Sequence, residues 1–202
     1  MNKQKKGILF LLTGPSGVGK KTIWQPLINL PELKLVFSVS CTTRNKRPNE
    51  IEGVDYFFKT KEEFEKMIKN NGLLEYATYA NNYYGTPKSF VDQVRKEGKN
   101  ILLELEPQGG LNIIKMFKEN KDSNFVSIFI APENIDVLKE RLLERSTESI
   151  DVITQRIKQA EWEIQQATAY QHMIINKTGC QKETTDTLYN IIIDAIRKNK
   201  SK

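Results

Sequence analysis

The sequence predicts an α/β fold in three layers, a parallel central sheet between helices, carrying a small mixed β/α lobe and a short helical lid. Three observations predict it. Short, continuous apolar runs alternate with longer stretches of helical periodicity; this rhythm breaks between about residues 40 and 88; and a glycine-rich turn joins the first apolar run to the first helix. At 202 residues the chain can bury one sizeable core with an insertion, but not two full-size domains.

The runs GILFLLT (7–13), LVFSVS (35–40), ILLEL (101–105), VSIFIA (126–131) and MIIN (173–176) have the length and apolar continuity of strands buried on both faces. Helical patterns over roughly 20–29, 87–97, 108–119, 133–145, 149–169 and 182–198 separate them. In the irregular stretch, VDYFF, LLEYATY and NNYYGT suggest short antiparallel strands around one helix, which starts at a capping box of Thr60 and Glu63. The chain therefore divides into core (1–39), inserted lobe (40–88) and core again (89–202), a single domain overall. The polar segment ERSTESID, between two helices, marks a lid at about 142–152.

Composition narrows the class. With 39% hydrophobic and 28% charged residues, the chain is an ordinary globular one, neither fibrous nor disordered. The apolar stretch near the N-terminus is too short for a signal peptide, and no segment approaches the ~20 residues needed to span a bilayer, so a cytoplasmic protein is expected. The net charge of +6 is scattered over helices and the C-terminal tail, without a nucleic-acid-binding motif. Neither nucleic acid nor membrane is an expected partner. Cys41, Cys180 and His172 show no metal-ligand spacing, and the cysteines are expected as reduced, buried thiols.

GPSGVGKK (14–21) follows the first strand and opens a helix, the context in which such a loop turns successive N–H groups onto phosphate oxygens. The expected fold is thus a P-loop NTPase-type three-layer sandwich. Gly14, Pro15, Ser16, Gly17, Val18, Gly19, Lys20, Lys21 and Thr22 are the expected ATP-binding residues, with Lys20 neutralising the β- and γ-phosphates. Lys21 stands where the pattern usually has a Mg²⁺-holding hydroxyl. An ammonium cannot ligate a cation, so weaker or more water-mediated holding of Mg²⁺ is expected.

SCTTRNKRPNEIEGVDY (40–56) places Arg44 and Arg47 near hydroxyls and a tyrosine, and two arginines can fork onto a phosphate dianion. Glu75 in LLEYATY is a carboxylate able to accept from guanine N1–H and N2–H₂, whereas adenine offers an acceptor at N1. Glu104 and Glu106 alternate at the end of a predicted parallel strand, on one face of the crevice where such sheets bind ligands.

Through GPSGVGK, TTRNKRPNEIEGVDYFF, EYATYANNYYGTP, LELEPQG and RLLERSTES, in that order, the chain resembles the guanylate kinase family over nearly its whole length. The resemblance implies transfer of a phosphoryl group from ATP to GMP, and to dGMP, with Mg²⁺, in a monomer or homodimer. It implies that Arg44, Arg47, Tyr56 and Tyr84 hold the GMP phosphate, that Ser40, Glu75 and Thr86 read guanine, and that Glu50 belongs to the same GMP-binding set. Glu104 and Glu106, beside Gly109, would serve the guanine amino group and the magnesium waters. Arg141, Arg145 and Arg156 would clamp the ATP phosphates and the transferred group, with Lys20 and Arg44 completing the catalytic set, and Asn176 would lie near adenine. Tyr56 and Tyr83 also suit a core aromatic role, and Arg141 an exposed helix position. Departures from the family pattern are Lys21, Pro107 after the acidic pair, Ser146 in the lid and Lys177 after Asn176. A phosphopeptide-binding module of the same fold and a kinase for another monophosphate are the competing expectations; the intact Lys20 opposes the first, Glu75 and Thr86 the second.

Overall fold

A computed structural model describes residues 5–79, 81–144 and 150–201. Strand β1 (Leu9–Thr13) is buried along its whole length. It pairs in parallel with β7 (Asn100–Leu105) on one side and β8 (Phe125–Pro132) on the other. Strands β2 (Leu35–Phe37) and β9 (His172–Asn176) close the edges, giving the order β2-β7-β1-β8-β9, all parallel.

Alternation along these strands divides the core in two. Phe10, Leu12, Leu102 and Ile128 face a cluster with Ile23 and Trp24 of α1 (Lys20–Trp24), Leu138 and Leu142 of α5 (Ile135–Glu144), Ile153 and Ala160 of α6 (Ile150–Gln165), and Leu188 and Ile192 of α7 (Gln181–Ser201). Leu9, Leu11, Ile101, Leu103 and Phe129 face the other way, onto Val91 and Val94 of α3 (Lys88–Lys96) and Ile113, Ile114 and Phe117 of α4 (Pro107–Glu119). The three layers expected from the alternation are present.

The inserted stretch forms a second sheet of order β4-β3-β6-β5. Here β3 (Cys41–Thr42) and β5 (Leu73–Tyr79) run antiparallel to β6 (Asn82–Pro87). β4 (Phe57–Phe58) lies parallel to β3, against the expectation of antiparallel strands throughout. The reason is the connection: residues 43–56 make an excursion long enough for a crossover, whereas an antiparallel pair needs only a tight turn. Helix α2 (Lys61–Lys69) starts at the expected capping box, with Thr60 Oγ1 accepting from Glu63 N at 3.1 Å and Glu63 Oε2 from Thr60 N at 2.8 Å. Tyr83 stacks on Phe64, ring centroids 5.1 Å apart, as a core aromatic of this lobe.

Two prolines set helix ends. The helix expected over 20–29 stops at Trp24 and tightens into a 3₁₀ turn over Gln25–Leu27, because Pro26 has no N–H to bond back to Thr22. The freed Thr22 carbonyl accepts from Gln181 Nε2 at 3.2 Å instead. Pro107 is the first residue of α4, where an N–H would have no helical partner, so it pre-shapes the helix start. The strand expected to reach residue 40 ends at Phe37, where the chain leaves the core sheet for the lobe. Cys41 is buried, but Cys180 is only half-buried, because it caps the start of α7 and its carbonyl accepts from Thr184 N at 3.1 Å.

Candidate active site

The turn after β1 is built for close backbone approach. Gly14 has φ 153°, and a Cβ there would come within 2.3 Å of the Ile130 carbonyl oxygen; Gly19, at φ 92°, begins α1. Lys20, 7% exposed, folds back over the turn, donating to the carbonyls of Gly14 at 2.6 Å and Pro15 at 3.3 Å. Its Nζ also lies 3.8 Å from Glu106 Oε1. Lys21 is exposed, and Thr22 Oγ1 donates to Gly19 O at 2.9 Å.

Two of the expected clamp arginines lie against this loop. Arg156 donates to Ser16 Oγ at 3.3 Å, while Arg141 donates to Val18 O at 3.4 Å and to Thr178 Oγ1 at 3.3 Å. Residues 145–149 of the expected lid (142–152), Arg145 and Ser146 among them, lie outside the described residues. Asn176 sits behind the loop rather than open to a base. It is 7% exposed, donates to Val18 O at 2.8 Å and accepts from Thr184 Oγ1 at 3.2 Å, so its amide is committed to protein partners.

Between the core and the lobe lies a cleft of about 760 Å³, lined by Ser40, Tyr56, Glu75, Tyr84, Glu104, Glu106 and Gly109 among others. Arg44 and Glu50 form a bidentate pair at 2.7 and 3.0 Å, and Glu50 Oε2 also accepts the Arg47 N–H at 2.8 Å. The Arg44 hydrogen bonds hold the Glu50 carboxyl down at about 2 and in turn push the guanidinium upward. Arg44 also lies 5.4 Å over the Tyr56 ring. Burial raises the Tyr56 hydroxyl above its usual value.

Thr86, fully buried, stands behind Glu75 and donates to its Oε1 at 2.7 Å. Burial pushes the Glu75 carboxyl upward, and the Thr86 bond opposes that rise. Beside it, Gly109 leaves room: a Cβ there would stand 3.6 Å from Glu75 Oε2. Glu104 accepts a hydrogen bond from Trp24 Nε1.

Sequence reasoning missed Trp24 and Glu163. Glu163 is 5% exposed on α6, accepts from Gln159 Nε2 at 3.2 Å, and is raised by burial, with the negative charge of Glu106 adding to the rise. Its sequence signal was its spacing from Arg156, which puts both on one helix face above the phosphate-binding loop. Among the described residues no three His, Cys, Asp or Glu side chains are grouped to hold a metal ion, and no helix is long and apolar enough to cross a membrane.

A family model described as guanylate kinase matches residues 6–195. The chain is 47% identical over 173 residues to the guanylate kinase of Oceanobacillus iheyensis, covering 86% of this chain and 81% of that protein. It is 43% identical over 182 residues to the guanylate kinase of Bacillus subtilis, covering 89% and 87%. Among solved structures, guanylate kinase from Anaplasma phagocytophilum superimposes with a TM-score of 0.65 at 32% identity, over 93% of this chain and 85% of that one.

Proposed function

The chain belongs to the guanylate kinase family of GMP-phosphorylating enzymes, and we propose that it moves the γ-phosphoryl group of ATP onto GMP where the phosphate-binding loop meets the 760 Å³ cleft. One observation carries the placement. Glu106 lines the cleft and also stands 3.8 Å from the Lys20 ammonium, so the two sites share a wall. Both substrates are soluble nucleotides, and a cytoplasmic setting is part of the proposal.

Phosphoryl transfer asks the protein mainly to align two phosphates and neutralise the charge that spreads over the equatorial oxygens. Lys20 rests on the Gly14 and Pro15 carbonyls, and nucleotide phosphate oxygens, as stronger acceptors, draw it onto the transferring group. Arg141 and Arg156, already against the loop, close over the same oxygens, and Arg145 is the third arginine that the resemblance assigns to this clamp. Across the cleft, Arg44 exchanges Glu50 for the GMP phosphate, while Arg47, Tyr56 and Tyr84 complete that pocket. The base is read by Glu75: Thr86 fixes Oε1 and leaves Oε2 to guanine donors, with Ser40 and Gly109 alongside.

The donor set fits Mg²⁺ carried in on nucleotide phosphates rather than caged by protein ligands. Lys21 cannot ligate, Thr22 Oγ1 donates to Gly19 O, and the Glu106 carboxylate, 65% exposed, is placed to accept from metal-bound water. When bound, the ion supplies further neutralisation of the phosphate charge.

The test is ADP release from the purified protein with ATP and Mg²⁺, with GMP, dGMP, AMP, UMP, CMP or no acceptor supplied in parallel. Rapid release is expected with GMP and dGMP alone. Equal release with AMP would remove Glu75 as the reader of guanine.

A further inference from the structure

Helix α1 spans Lys20–Trp24, and it touches both members of the acidic pair. Its first residue, Lys20, reaches Glu106, and its last, Trp24, donates from indole Nε1 to Glu104 Oε2 at 2.5 Å. Trp24 is 7% exposed, and its ring is stacked on Phe37 with centroids 4.3 Å apart and planes 12° from parallel. Phe37 and Glu104 both line the cleft. An indole is a donor only, on a rigid ring, and one clamped by stacking holds its acceptor in a single orientation.

We propose that Trp24 is a positioning residue for the acceptor nucleotide: it occupies Glu104 Oε2, leaving Oε1 for the N–H and O–H donors of the bound GMP. The inference rests on the cleft being the GMP site. It also gives α1 a second task. The helix that starts under the ATP phosphates ends by orienting the wall of the acceptor pocket, so the two sites share one rigid element. A tryptophan that merely filled the core would not need its N–H, and that difference is what the experiment reads.

The decisive comparison is Trp24→Phe, which keeps a stacking ring and deletes the N–H, alongside Glu104→Gln and the double variant, each assayed for GMP and ATP kinetics. Losing a hydrogen bond to a charged group should raise KM for GMP about tenfold in Trp24→Phe, with kcat lowered by less than about threefold. KM for ATP should stay near that of the parent. If Trp24 acts through Glu104, the double variant is no worse than Glu104→Gln alone; additive losses mean a packing role and overturn the proposal. So does an unchanged KM for GMP in Trp24→Phe when the parent turns GMP over. A parent inactive toward GMP would take down the reading of the cleft and the proposal with it. Should Trp24→Phe fail to fold, Trp24 emission is followed in a Trp162→Phe protein during GMP titration. A saturable change that Glu104→Gln abolishes supports the proposal, and no change overturns it.

Discussion

Beneath the N-terminal ends of β1, β7 and β8, Arg95 is 2% exposed and donates to Gly7 O at 3.0 Å, Asn124 O at 2.8 Å and Asp122 Oδ1 at 3.1 Å, its guanidinium 5.3 Å over Phe117. Asn100 beside it accepts from Ile8 N at 2.9 Å and donates to Leu33 O at 2.7 Å. At the C-terminal ends of the same strands the charges are held otherwise. Lys20 rests on loop carbonyls near an exposed carboxylate, Arg44 is paired with the side chain of Glu50, and Ser38 Oγ is buried in the cleft wall with no partner among the described residues. Acceptors fixed in the backbone of the sheet cannot be exchanged, so Arg95 and Asn100 lock the strands together. Loop carbonyls and single carboxylates yield to phosphate oxygens, so Lys20 and Arg44 remain available to a ligand.

The contrast breaks if the two ends respond alike to truncation. Lys20→Ala should lower kcat about 10³-fold, the range seen when one preorganised charge stabiliser is removed, while the melting temperature moves by no more than about 3 °C. Arg95→Ala should do the reverse. It leaves Asp122 and two buried carbonyls short of a donor, a loss of about 3–5 kcal/mol, or roughly 6–20 °C in melting temperature for a chain of this size. Turnover well below the transition should stay within about twofold of the parent. Thermal melts and GMP-dependent ADP release on the two variants settle it; a folded Arg95→Ala that has lost turnover would merge the two ends.

How much of this was legible in sequence follows the same division. The five core strands were visible as short continuous apolar runs, though β9, at the sheet edge, leaves Met173 and Ile175 exposed instead of being buried on both faces; the phosphate-binding loop was visible because its glycines sit between a strand and a helix. The capping box at Thr60 was local, and it formed as expected. What sequence could not give were pairings set by tertiary closure: the strand order, the parallel approach of β4, and the Arg44–Glu50 bond, which depends on the shape of the loop between them. Trp24 belongs to an apolar stripe and reads as core; only the fold brings its N–H to Glu104. Pro26 was a signal in plain view that α1 would end early. Asn176 was expected near adenine on resemblance, and the structure commits its amide to Val18 and Thr184.

Glu75 sharpens the comparison most finely, because burial and function oppose each other in one side chain. Its carboxyl is raised above the ordinary 4.5 by burial, only partly offset by Thr86. The native state therefore holds the proton more tightly than the unfolded chain. The associated stability is fully present below about pH 4.5 and is lost as pH rises through the native value. At pH 7 an ionised Glu75 subtracts from stability, a cost that the proposed pairing with guanine donors would offset. Glu75→Gln keeps an oxygen for Thr86 but sets an N–H₂ against guanine donors. kcat/KM for GMP should fall about 10²-fold, because a site built to pair those donors is left mismatched. The melting temperature should rise slightly at pH 7 and match the parent near pH 4.5. A variant that instead melts lower at pH 7 would show that the Thr86 bond stabilises the lobe by more than burial of the charge costs. Glu75 would then be bound into the framework as firmly as Arg95.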